Sequence, residues 1–443
     1  MLYRATQSQT FHLDNDREAH ETNYRFSLTL GQRLEVKSRC IRRQTSSESS
    51  RNMATHEPIL KHSRFCMIIA GIWPLALPTH KLLLRSAYSL YSGLLKLYFP
   101  MFLVSLCVEF GIKTIDGKNV DQIFSQLIYV IALVSVGIAA LLYQRRDFRE
   151  IIRYVMKDDM VVYLEEEEIR RCHLEQVRFC SKACMAITIL TIGAGTSICL
   201  ENFWRRFEVG QLNKRQNESV EKPFPYDLYY YSVDKDKHAG ILLIVNDIAV
   251  IVNGLLVAST KIVFFSCVIY PASILKRLQI RFERWKGDGG CLLVVLRELV
   301  RQHQTVIWFI TKLNGSIKYL IFMEFLLNSL NIAAVSIQFI TFEKTMLASP
   351  ILFFGILFTQ TFVLGWSANE IKVQSLMLAD ALYRSPWYEQ NETVKKMVLT
   401  MIMRAQTPLV LTIGPFDAMT TQSALAIMKG SYSYVSVMLN NYQ

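Results

Sequence analysis

Long apolar runs alternate with short polar connections along most of this chain. A helix needs roughly 20 apolar residues to cross the hydrocarbon core of a bilayer. Seven stretches meet or approach that length: 87–111, 123–143, 177–200, 240–270, 317–340, 350–368 and 423–439. The fourth is long enough to tilt or to project beyond the membrane. The seventh is short and carries Ser431, Tyr432, Ser433, Tyr434 and Ser436, which suits a helix that faces water or protein. The pattern predicts an all-α, polytopic membrane protein with seven transmembrane helices, forming one domain over 53–443. Residues 1–52 are polar and rich in Ser and Arg, and are expected to be a disordered extension. No apolar run follows Met1, so the start does not read as a signal peptide. Met53 reads as an alternative start, which would make the extension a gene-model artefact.

Composition sharpens this picture. Half of the residues are hydrophobic and only 19% are charged, against about a quarter in soluble proteins. The formal charge of +12 comes without a dense Lys/Arg tract interleaved with aromatics, so nucleic-acid binding is not expected. Lys and Arg concentrate in alternate connections, which the positive-inside rule reads as a cytoplasmic N-terminus and an extracellular C-terminus. In that orientation the sequon Asn217-Glu218-Ser219 is extracellular and is the expected glycosylation site. Asn314-Gly315-Ser316 and Asn391-Glu392-Thr393 fall inside.

Two connecting regions are expected to be helical beyond the membrane, forming a cytoplasmic anchor. In Leu292–Leu313, the apolar Leu292, Leu296, Leu299, Val306, Ile310 and Leu313 recur at helical spacing. It reads as a packed extension of the fifth span or as a subunit-contact surface, with His303 as a surface or capping residue. The second region runs from Glu392 to Gln406, with Asn391 as N-cap. The acidic run Glu165–Glu168 places Glu166–Arg170 and Glu167–Arg171 at i,i+4 and reads as a solvated helix face.

Enzymatic chemistry is not expected. There is no Walker loop, HExxH or GxSxG, and Gly193-Ala194-Gly195 lies too deep in an apolar run to bind a nucleotide. The eight histidines show no ligand spacing and the nine cysteines form no CxxC pair, so neither a metal nor a cofactor is expected. Ionisable residues inside spans are functional candidates by default. Asp247 falls in the fourth span and Glu324 in the fifth, while Lys96 in the first can snorkel.

The C-terminal third carries a recognisable order of motifs. They are Ala379-Asp380-Ala381-Leu382-Tyr383, Ser385-Pro386-Trp387-Tyr388, and Met403-Arg404-Ala405-Gln406 with Pro408-Leu409. Gly414-Pro415-Phe416 and Tyr432-Ser433-Tyr434 follow. Together with Arg301-Gln302-His303-Gln304, these resemble the insect odorant receptor family over roughly Met53 to the end. The upstream spans match in layout more than in residues. The resemblance implies a variable, ligand-tuning subunit that assembles with a shared odorant co-receptor into a heterotetrameric cation channel. It would lie in the plasma membrane, in olfactory sensory neuron dendrites, in contact with membrane lipid. The last span would line the pore, with Val437 at the family's hydrophobic gate. Ser433, Val437 and Asn440 or Asn441 share a helical face, and a hydrophobic ring with polar rings outside it can gate ions by dewetting.

The family's pocket for volatile hydrophobic molecules lies in the outer halves of spans two, three, four and six. The corresponding candidates are Ile128 and Tyr129; Ala194, Ser197 and Ile198; Ile244, Asp247, Ile248 and Ile251; and Phe353, Leu357 and Phe358. The loop from Phe224 to Tyr231 could serve as a lid or as an interfacial aromatic belt. A gustatory-type channel subunit is the nearest alternative, and the Ser-Pro-Trp-Tyr and Tyr-Ser-Tyr segments favour the odorant branch. A metabotropic seven-span receptor is opposed by the inverted topology. A transporter is opposed by the absence of an inverted repeat.

Overall fold

The computed structural model describes residues 58–75, 82–115, 120–162, 165–216, 224–230, 233, 237–284, 290–341 and 348–442. The extension 1–52, Asn217 and Tyr231 lie outside the described residues. Among the described residues, regular structure is helical throughout, apart from one bridge between Thr412 and Ala418. The helices are α1 (Lys61–Ile69), α2 (Leu82–Ile115), α3 (Val120–Tyr143), α4 (Arg146–Val162) and α5 (Glu167–Gln216). They continue with α6 (Ala239–Arg284), α7 (Gly290–Thr341), α8 (Ala348–Arg384), α9 (Glu392–Ala405) and α10 (Thr421–Tyr442). A 3₁₀ turn at Trp387–Glu389, within the Ser-Pro-Trp-Tyr motif, separates α8 from α9.

Six of these helices (α2, α3, α5, α6, α7 and α8) are long and apolar enough to cross a membrane, so the chain is a multi-pass membrane protein. The seventh expected span falls on α10, which is less apolar because Lys429 and its Ser and Tyr residues dilute the run. Helices α5, α6 and α7 have 50, 46 and 52 residues. At 1.5 Å per residue each is roughly 70–78 Å long, more than twice the ~30 Å hydrocarbon core. Hydropathy locates where the chain leaves lipid, whereas these helices continue unbroken past that point.

Helix α6 forms the centre. Its residues from Ala258 to Leu275 are buried on all sides, packed by α5, α8 and α1. Small side chains allow that close approach. Ser266 meets Ser63 of α1 at 2.6 Å, and Ser259 donates to the Cys66 carbonyl at 3.0 Å. Tyr143 of α3 donates to the Thr260 carbonyl at 2.7 Å.

One end of the bundle is built from the polar extensions. Helix α4 buries Phe148, Ile151, Ile152 and Val155, and α9 buries Val394, Val398, Met401 and Ala405 along one stripe. In α7, Leu296, Leu299, Val306, Ile310 and Leu313 are buried, so the predicted amphipathic face packs inward. The Asn391 side chain accepts from the Val394 amide at 2.9 Å and caps α9 as expected. His303 is buried rather than superficial. Burial and the nearby Arg404 charge push its pKa down to about 4.

The acidic run is largely exposed, as expected, but also makes contacts the spacing did not suggest. Glu167 pairs with Arg171 at i,i+4, but Glu165 reaches Arg281 while Glu166 and Glu168 reach Arg284. The start of α5 is thus docked onto the basic end of α6. Beside it, Asp158 binds Tyr270 and Arg277, the latter at 2.5 Å. Burial alone would raise the Asp158 pKa; the Arg277 charge and these hydrogen bonds overcome it and hold the carboxyl below its usual value.

Candidate functional site

At the opposite end, α3, α5, α6, α7 and α8 diverge around a cavity of about 80 Å³. The segment 224–230 folds into its mouth. Tyr226 stands edge-on to Tyr129 of α3, with ring centroids 5.0 Å apart, and to Phe102 of α2 at 5.2 Å. Backbone and side chains fix this plug. The Tyr226 amide donates to Asn246 Oδ1 at 3.0 Å, and Asn246 Nδ2 donates to the Tyr230 hydroxyl at 2.5 Å. Gln126 donates to the Asp227 carbonyl at 2.7 Å, and Lys113 pairs with the Asp227 carboxylate. Ser105 donates to the Tyr229 carbonyl at 2.8 Å. Nearby, Glu201 of α5 accepts from the Ser349 amide at 2.9 Å and from its hydroxyl, tying α5 to the start of α8.

The cavity has two characters along its depth. Beneath Tyr226 it is lined by Tyr129, Ala194, Ile198, Val250, Phe353 and Leu357. Asn253 lies beside the Tyr226 phenol, and deeper down Ser135, Lys261, Asn328, Asn331 and Gln360 replace apolar side chains. From Val250 to Lys261 the lining descends about 16 Å along α6 at helical rise. At the floor, Lys261 pairs with Glu324 of α7. Ser135 accepts from Lys261 and donates to Glu324, both at 3.2 Å. The two charges neutralise each other where either alone would be costly.

Of the residues expected to bind ligand, Tyr129, Ala194, Ile198, Phe353 and Leu357 line this cavity. Ile128 packs instead with Ile332, Val335 and Leu357, and Ser197 donates to the Ala194 carbonyl within α5. Ile244, Ile248, Ile251 and Phe358 point outward, away from the cavity. Asp247 lies off the cavity, beside Cys199 and Arg206. The polar floor was missed by sequence reasoning apart from Glu324, although a lysine inside the fourth span is itself a signal. Ser433, Val437, Asn440 and Asn441 lie within α10, where Ser433 is exposed. Asn314 Oδ1 accepts from the Thr412 amide at 2.9 Å, and its side chain is thereby engaged in the fold.

A multi-helix membrane protein with a largely apolar cavity under an aromatic plug has the architecture suited to holding a small molecule. The profile of the 7tm Odorant receptor family matches residues 119–432, most of the chain, and the chain belongs to that family. Odorant receptor 10 of Aedes albopictus is 28% identical over 187 residues, which are 40% of this chain and 49% of that protein. Odorant receptor Or2 of Anopheles gambiae is 30% identical over 158 residues, 35% of this chain and 41% of that protein. The chain thus spans about half the length, or less, of these curated relatives. The fold is that of the insect olfactory receptor OR5 from Machilis hrabei. That structure matches with a TM-score of 0.71 at 17% identity, covering 86% of this chain and 97% of the other. The same receptor in complex with eugenol matches at 0.70 and 18%.

Proposed function

We propose that this protein is an odorant receptor subunit that binds volatile hydrophobic small molecules in the cavity beneath Tyr226. It opens a cation-conducting pore together with an odorant co-receptor in a heterotetramer. The observation that carries the reading is the cavity beneath Tyr226, lined by apolar and aromatic side chains, in a chain of the odorant receptor family. Pockets for small ligands are typically apolar with a few placed polar groups. A relative of the same fold has been solved with eugenol bound.

In this reading the N-terminus is cytoplasmic, the plug segment is extracellular, and Asn217 carries sugar. The protein resides in the plasma membrane of sensory dendrites. The end built from α4, α9 and the first turns of α7 is cytoplasmic and holds subunits together. An apolar groove along Ile307, Trp308 and Thr311 of α7 supports that role, because exposed apolar surface outside lipid marks contact sites. Helix α10 lines the pore, with Val437 as the gate and Ser433, Asn440 and Asn441 beside the ion path. Ligand shifts the channel toward the open state only through tighter contact in that state.

The test is a whole-cell current from cells expressing this chain with and without the odorant co-receptor, across a broad volatile panel. An odour-evoked cation current that needs both chains, and whose conduction changes on Val437→Ala substitution, is expected. Signalling by this chain alone through a G protein would contradict the channel reading.

A further inference from the structure

The cavity contains polar groups that the protein itself leaves unanswered. Asn331 is 3% exposed and Asn253 is 1% exposed, and both line the cavity. Asn331 Oδ1 has no hydrogen-bond partner, and neither does Asn253 at Oδ1 or Nδ2. The Asn253 amide lies near the Tyr98 and Tyr226 phenols without reaching hydrogen-bond geometry to either. Buried side-chain amides are normally paired, and an orphan is costly to keep. The ionic groups at the floor behave differently: Lys261, Glu324 and Ser135 satisfy one another. A charged ligand would therefore bring an unpaired charge into a low-dielectric site.

We infer that this cavity is tuned to small neutral molecules bearing a hydroxyl, which donates to Asn331 Oδ1 and accepts from Asn253 Nδ2 while the alkyl part lies against Ala194, Ile198 and Leu357. An ether, ester or ketone has no proton for Asn331 Oδ1, and a hydrocarbon answers neither amide. This inference rests on the receptor reading above and narrows its ligand class.

The experiment compares 1-pentanol, butyl methyl ether and hexane, which share one heavy-atom count. Dose–response currents are recorded from the full chain with its co-receptor. Binding of the same three compounds to the purified full chain is read by thermal shift. Satisfying an orphaned buried amide predicts that 1-pentanol is roughly tenfold or more the most potent of the three. Asn331→Leu is expected to abolish that preference. Equal potency of the three compounds on the unaltered chain overturns the inference, and needs no variant to fold. So does an alcohol preference that survives both Asn331→Leu and Asn253→Leu. In either case a surviving response to hexane leaves the receptor reading standing. If the monodisperse purified chain binds none of the three, the hydroxyl inference falls, and the broad volatile panel decides the receptor reading separately.

Discussion

Removing one partner of the Lys261–Glu324 pair should be far more damaging than removing both. Their side chains are 9% and 5% exposed, and the pair joins α6 to α7 between the cavity floor and the packed centre of the bundle. An exposed ion pair contributes about 0–1 kcal/mol. Here water is excluded from both ends, so either single substitution strands a charge that must be neutralised or left unsolvated. Breaking a buried pair in this way costs about 3–5 kcal/mol, whereas replacing both partners with apolar side chains of similar volume is often close to neutral. Ser135 raises the stake, because it hydrogen-bonds both partners and would be left with one. The assay is the thermal midpoint of the detergent-solubilised protein for Lys261→Met, Glu324→Leu and the double variant, with surface expression measured in parallel. Both single variants should lose stability and the double should recover most of it, giving a coupling of about 2 kcal/mol or more. Additive losses, or single variants as stable as the parent, would refute the placement of this pair in a dry interior.

Other regions give independent tests. A Cβ on Gly365 of α8 would sit 2.6 Å from the Ala424 Cβ and 3.1 Å from the Thr420 carbonyl oxygen, so Gly365→Ala must push α10 outward. An overpacking cost of about 1–3 kcal/mol is expected. A changed unstimulated current should accompany the lower thermal midpoint, and an unchanged midpoint would contradict the close α8–α10 approach. Asn391→Ala should cost about 0.5–2 kcal/mol by uncapping α9, read as faster proteolysis near that helix. His303 titrates near 4 in the folded protein against an ordinary 6.5. The unfolded chain therefore binds the proton first, so stability rises with pH between those values and is level above them. The difference between the two corresponds to about 3 kcal/mol lost once the group is fully protonated. His303→Gln should flatten the pH dependence of the melting midpoint over that range.

The membrane class and six of the seven expected spans were legible because an unbroken run of about 20 apolar residues is rare outside a bilayer. What lies inside the bundle was harder to read. In a span, lipid-facing and core-facing side chains are both apolar, so periodicity in hydropathy fades. Ile244, Ile248 and Ile251 resemble cavity residues by composition, yet they face outward. Polar residues carry the missing information. Asn246, Asn253 and Lys261 recur at intervals of seven and eight residues, two helical turns, and all three are buried. Their stripe marks the inner face of α6, holding the plug with Asn246 and the cavity floor with Lys261. His303 was misread because a histidine looks solvated until a distant element, here Arg404 of α9, is brought near it, and the ties from Glu165, Glu166 and Glu168 to the end of α6 were hidden for the same reason. The C-terminal motifs were legible as a signature. The structure gives one of them a physical role, since Gly414 holds a positive φ of 59° and donates its amide to the Lys318 carbonyl at 2.9 Å.

The most direct test of the account is to fill the cavity from within. Ala194 is buried and lines its apolar half, so Ala194→Phe would occupy the space beneath Tyr226. The measurement is the odour-evoked current of this variant with the co-receptor, set against its unstimulated current and its surface expression. Loss of the evoked current with the other two preserved is the predicted result. An unchanged dose–response curve from a properly expressed Ala194→Phe receptor would place the ligand elsewhere and contradict the central claim.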